Sequence, residues 1–225
     1  MKGTLVNVVA VLAGSGLGLA IGGRLPERWK GIITDALGLA TLVIGVKLAL
    51  QAQNLLIVIG SLVAGGLLGE WGNLEGRLER FGEWLKSRTG AQEGTFAAGF
   101  VTASLVYCVG PMTVVGAIQE GIDGTADILY AKSMLDGAAS VAFASTLGLG
   151  VAFAALTVLV VQGGLTLLGG RLAFLLDEKV LNELTGTGGV LILGIGLLLL
   201  DVRRIRVANF LPALPLAILL ATLFR

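Results

Sequence analysis

Long apolar runs separated by short polar connections organise this chain. They fall at Thr4–Gly23, Ile32–Leu50, Leu55–Gly69, Phe96–Gln119, Ser133–Gly169, Gly188–Leu200 and Val207–Phe224, and each reads as a membrane-crossing helix. One run is too long. Ser133–Gly169 covers 37 residues with Asp136 as its one charged side chain. As a single helix it would reach roughly 55 Å, against about 30 Å of hydrocarbon core. A break near Gly148-Leu149-Gly150 divides it into two segments and gives eight spans; left whole, the count is seven. The pattern therefore predicts an all-α integral membrane protein of about eight segments.

The basic residues set an orientation. Arg24, Arg28 and Lys30 lie in the first loop, and Arg77, Arg80, Lys86 and Arg88 in the third. Both loops are expected in the cytoplasm, which leaves the N-terminus outside. Beyond the long run the charges fit either count: seven spans place Arg171 and Lys179 inside, eight place Arg203, Arg204 and Arg206 there.

Internal echoes favour eight. Gly22-Gly23-Arg24-Leu25 recurs as Gly169-Gly170-Arg171-Leu172, Asp35-Ala36-Leu37-Gly38 faces Glu183-Leu184-Thr185-Gly186, and Val43-Ile44-Gly45-Val46 resembles Ile192-Leu193-Gly194-Ile195. Between them, Ala103-Ser104-Leu105-Val106-Tyr107 resembles Ala139-Ser140-Val141-Ala142-Phe143. This divides the single domain 1–225 into repeat halves 1–70 and 149–225 around a central core 95–148. With eight spans the halves are inverted, as in many transporters.

The polar stretch 73–88 departs from the pattern. Leu74, Leu78, Phe81 and Leu85 form one helical stripe among charged neighbours, with Trp71 and Trp84 suited to an interface. An amphipathic helix on the membrane surface, or against a partner, fits this. A solvated connecting helix is the plainer reading.

Composition narrows the chemistry. Hydrophobic residues make up 55% of the chain and charged residues 14%, with a mean hydropathy of +0.91, so the lipid bilayer is the surrounding medium. A net charge of +1 argues against nucleic acid as a partner. With no histidine and one cysteine, Cys108, a Ser-His-Asp triad, an internal disulfide and a thiolate metal cluster are excluded. No enzyme activity and no cofactor is expected, and no metal is assigned. The N-terminal run resembles a signal peptide but lacks a small-x-small cleavage context, so it reads as the first span.

The densest polar group is central. Cys108-Val109-Gly110-Pro111-Met112 interrupts an apolar run, and Pro111 removes a backbone donor there. Thr102, Ser104, Tyr107, Cys108 and Thr113 surround the break, with Gln119 and Glu120 following. A broken helix offers free backbone groups to an ion or solute; a plain kink bonded to its own hydroxyls is the structural alternative. Lys132 and Asp136, four residues apart, share a helix face that continues to Ser140. An acid there is costly and points to a cavity or partner, the alternative being an interfacial salt bridge. Lys47 reads as a snorkelling side chain near a span end, and Asp35, Glu70 and Asp201 as boundary markers.

These central residues carry a family resemblance. Gly99-Phe100-Val101, Cys108-Val109-Gly110-Pro111-Met112, Gly116-Ala117-Ile118, Lys132-Ser133 with Asp136-Gly137, and Ser145-Thr146-Leu147-Gly148 resemble the YqgA-like, or YdfK-like, family of bacterial inner-membrane proteins. The likeness runs through to Asn209-Phe210-Leu211-Pro212-Ala213. It implies a small multi-pass protein of the bacterial plasma membrane, carrying a domain of unknown function and often labelled a transporter, and it brings no substrate. The residues themselves favour a small secondary transporter or channel for an ion or small polar solute, passing Thr102, Ser104, Tyr107, Cys108, Gly110, Pro111, Thr113, Gln119, Glu120, Lys132, Asp136 and Ser140. At 23.0 kDa one copy offers few helices to enclose a path, so a homo-oligomer, most simply a dimer, is expected. The alternative is a membrane scaffold docking through the 73–88 helix.

Overall fold

The computed structural model describes residues 1–89 and 96–224. Thr95, at the start of the expected core, and the side chains of Leu85 in the amphipathic stripe and of Lys86 and Arg88 beside it lie outside the described residues. Ten α-helices are described: α1 Lys2–Gly22, α2 Glu27–Ala49, α3 Leu55–Trp71, α4 Leu74–Thr89, α5 Phe96–Cys108, α6 Pro111–Asp123, α7 Asp127–Leu147, α8 Gly150–Leu167, α9 Glu178–Leu199 and α10 Ala213–Leu223. Short 3₁₀ turns, Ala173–Leu176 and Val207–Phe210, lead into α9 and α10.

The overlong run breaks at Gly148. There φ is +75°, a backbone state that a side chain disfavours, and the next helix begins two residues later. The central run breaks at Val109–Gly110, with Pro111 in the first turn of α6, where its missing N–H is no loss. The helices on either side of that break bend by 59°, and α3 meets α4 at 53°.

Contacts at the helix termini define two ends of the bundle. At the N-terminal end, Gly3 lies on Leu129, Thr4 meets Thr166, Gly121 packs on Gly169, and the α2–α3 turn bonds Glu183. At the other end Gly22 meets Ser145, Gly99 meets Leu147 and Arg206 pairs with Glu70. Between these ends the chain makes eight passes: α1, α2, α3, α5 with α6, α7, α8, α9 and α10. By length and apolar composition four helices can cross a membrane alone, and six if each bent pair counts as one span. That is fewer than the eight spans expected. The other two passes miss for physical reasons: α7 has 21 residues but buries a polar face, and the apolar piece Val207–Leu223 is short.

Packing follows a regular scheme. α1 lies on α8, α2 on α9 and α3 on α10, each pair antiparallel. α7 packs on α1 as α5 packs on α8, and α7 touches α2 as α5 touches α9. The α1–α7 seam is the tightest. A Cβ at Gly14, Gly18 or Gly22 would strike the backbone oxygens of Gly137, Val141 and Ser145 respectively, so one small residue per turn lets the two helices meet backbone to backbone. Such contact replaces the hydrophobic drive that lipid does not supply.

Helix α4 is amphipathic as expected, but part of its apolar face is used within the chain. Phe81 lies 5.7 Å from Phe96 and 6.1 Å from Phe153, edge to face. Lys47 is exposed near the end of α2, consistent with a snorkelling lysine.

Candidate functional site

Three helices, α1, α7 and α8, converge on a buried polar network near the N-terminal end. Its centre is Asp136, the tenth residue of α7 and 6% exposed. One turn away on the same face, Lys132 forms an ion pair with Asp136 Oδ2. From α1, Asn7 donates through Nδ2 to the same oxygen at 2.9 Å and to Gln162 Oε1 of α8 at 3.0 Å. Gln162 Nε2 donates in turn to Thr4 Oγ1 at 3.2 Å, and the Thr4 hydroxyl lies 3.4 Å from that of Thr166. Asn7 and Gln162 are wholly buried.

The network has two flanks. Towards the middle of the bundle, Tyr107 of α5 shares a 2.8 Å hydrogen bond with Ser140 of α7. The Lys132 ammonium sits 6.0 Å from the centre of the Tyr107 ring, at the edge of cation–π range. Towards the N-terminal end, Glu120 of α6 accepts from the Gly3 amide at 2.9 Å and pairs with the Met1 ammonium at 2.9 Å. Glu120 thus serves as an acidic cap for α1, whose first amides have no intrahelical partner.

The arrangement suits binding and exchange of a charged or polar species. A buried lysine–carboxylate pair is balanced only while both partners hold their charges, so protonating Asp136 or bringing a competing ion changes the energy of the whole cluster. Among the described residues no group of three or more acid or thiol side chains could hold a metal.

At the opposite end a cleft of about 390 Å³ opens between α2, α4, α5 and the end of α9. Thr34, Glu75, Glu79, Asp201, Arg204 and Arg206 supply its polar lining. Arg206 is held by Glu70 at 2.8 Å, and Glu75 accepts the Ala208 amide at 2.8 Å.

Comparison with known proteins places this chain. The family model described as "Protein of unknown function (DUF554)" matches residues 2–222. The chain belongs to the DUF554 family. The uncharacterised membrane protein YdfK of Bacillus subtilis (strain 168) is 32% identical over 219 residues, covering 95% of this chain and 93% of YdfK. The uncharacterised protein YqgA of Escherichia coli (strain K12) is 31% identical over 220 residues, covering 96% and 94%. No solved structure matches it. The expected family and the class of multi-pass helical membrane protein are both as the sequence implied.

Within this DUF554 protein the expected site residues separate into groups. Tyr107, Lys132, Asp136 and Ser140 come together, and Glu120 closes one end. Thr113 secures the helix break by donating to the Tyr107 carbonyl at 2.7 Å, while Gly110 caps α6 without a side-chain bond. Ser104 faces α8 and donates to Thr157 at 2.9 Å, apart from the network. Thr102 is buried without a hydrogen-bond partner, and Cys108, Pro111 and Gln119 are half-buried with no bond into the network. Four members were not anticipated: Thr4, Asn7, Gln162 and Thr166. Each carbonyl-bearing member, Asn7 and Gln162, is the one amide side chain in its apolar run, which is the signal that could have found it.

Proposed function

We propose that this DUF554 protein is a small secondary transporter or channel of the bacterial plasma membrane that moves an ion or small polar solute. The observation that carries the reading is the Lys132–Asp136 pair, buried halfway along α7 and tied to Asn7 and through it to Gln162. Ionisable groups at such depth are expensive and persist where they serve a pathway. The solute or its coupling ion would bind at this cluster, with Tyr107 and Ser140 on its inner side and Glu120 on its outer side.

The topology supports the same reading. Arg24, Arg28, Lys30, Arg77, Arg80, Arg203, Arg204 and Arg206 all belong to connections at one end of the bundle. That bias favours this end as cytoplasmic and the N-terminus as external. The charged cleft would then be the cytoplasmic mouth. Antiparallel packing of α1 on α8, α2 on α9 and α3 on α10 supports reading 1–70 and 149–225 as inverted repeats around 95–148, and repeats of that kind rock about a central site. We read the working unit as a homodimer. The scaffold alternative would use the part of the α4 face that Phe81, packed on Phe96 and Phe153, leaves open.

Purified protein in liposomes tests the reading. Flux of a proton, alkali cation or small polar solute is expected, falling at least ~10-fold in Asp136→Asn. No flux across a broad panel, or unchanged flux in a folded Asp136→Asn variant, would remove its basis.

A further inference from the structure

A second buried acid lies away from this network. Glu183 of α9 is wholly buried. Its Oε1 accepts the amides of Gln53 and Asn54 at 2.9 and 2.7 Å, in the turn that starts α3. Its Oε2 is buried with no hydrogen-bond partner. One turn deeper on the same face of α9 stands Thr187, also wholly buried, whose Oγ1 has no partner. Helix α3, which begins at that turn and packs against α9, buries a further unpartnered hydroxyl at Ser61. The basic residue one turn outward, Lys179, donates instead to the Phe224 carbonyl at 2.6 Å.

We propose that Glu183 and Thr187 form a binding site for a small monovalent alkali cation, such as sodium, between α9 and the start of α3. The unpartnered atoms are all oxygens with free lone pairs, the donor set that hard cations take. Burying a carboxylate oxygen and hydroxyls without partners is costly unless something binds them. Charge selects the valence: one carboxylate balances one positive charge, whereas a divalent ion would leave a net charge buried. The two amides on Oε1 fix the carboxylate and leave Oε2 as its free oxygen, one turn from Thr187 on the same helix face. As a binding site it stands without the transport reading; as the place where a coupling ion binds, it rests on that reading.

The test is the melting temperature of the full-length protein in detergent, titrated with sodium chloride in a choline chloride background, with lithium and potassium arms. Wild-type protein should gain a saturable rise with at least one alkali cation. Thr187→Val, which keeps the Glu183 bonds to the turn, should need at least ~10-fold more salt for the same rise. Glu183→Gln should lose the rise, and Asp136→Asn should keep it while losing flux. No cation-specific rise in wild type overturns the proposal. So does an unchanged titration in Thr187→Val, or a rise that follows pH and not the cation.

Discussion

At the residue scale, the buried pair of α7 decides the energetics. Neither partner has a substitute: Asp136 is bonded by Lys132 and Asn7, and Lys132 reaches the carboxylate and the edge of the Tyr107 ring. Lys132→Met leaves an uncompensated carboxylate and should destabilise the protein by about 3–5 kcal/mol. The double variant Lys132→Met/Asp136→Leu should cost far less than the two singles together, because no charge is left stranded. Unfolding in detergent, followed by circular dichroism, reads both. Tyr107→Phe removes one hydrogen bond to Ser140 and should cost about 1 kcal/mol. Lys132, Asp136, Ser140 and Tyr107 were legible in the sequence because charge and hydroxyls stand out in apolar runs. Asn7 and Gln162 each stand out as a lone amide in an apolar run, but their pairing across 155 positions leaves no local pattern. Glu183 was hidden differently, for an acid just before an apolar run reads as a span boundary.

At the element scale, the α1–α7 seam positions the site. Asn7 reaches Asp136 only because Gly14, Gly18 and Gly22 bring the two backbones together. Gly18→Leu should push them apart and destabilise the protein by roughly 3 kcal/mol or more, through overpacking against backbone that cannot give way. Gly16→Leu, where a Cβ would meet nothing within 4 Å, should be nearly neutral. Thermal melts of the two variants side by side check the contrast. The break at Gly148 was readable from length alone, and that at Pro111 from proline chemistry. Helix starts were less readable: α9 begins at Glu178, ten residues before its apolar run, because polar residues buried against neighbouring helices do not look like membrane sequence.

At the scale of the whole molecule, the proposed topology of eight crossings makes a specific claim about sidedness. In a Cys108→Ser background, a cysteine at Arg171 should react with an impermeant maleimide from outside the cell. One at Arg203 should react only after the membrane is opened. Labelling of both from one side would contradict the eight-pass arrangement. The polar face of α7 carries a further consequence, for how the protein is made. A lysine and an aspartate near the centre of a helix each oppose insertion by roughly 2.5–3.5 kcal/mol, so α7 entering lipid alone would be rejected. Lys132 and Asp136 pair with each other, and Asp136 gains a further bond from Asn7, on a helix synthesised more than 100 residues earlier. Helix α1 supplies that bond, and a chain deprived of α1 should leave α7 stranded on the outer side, within reach of added protease.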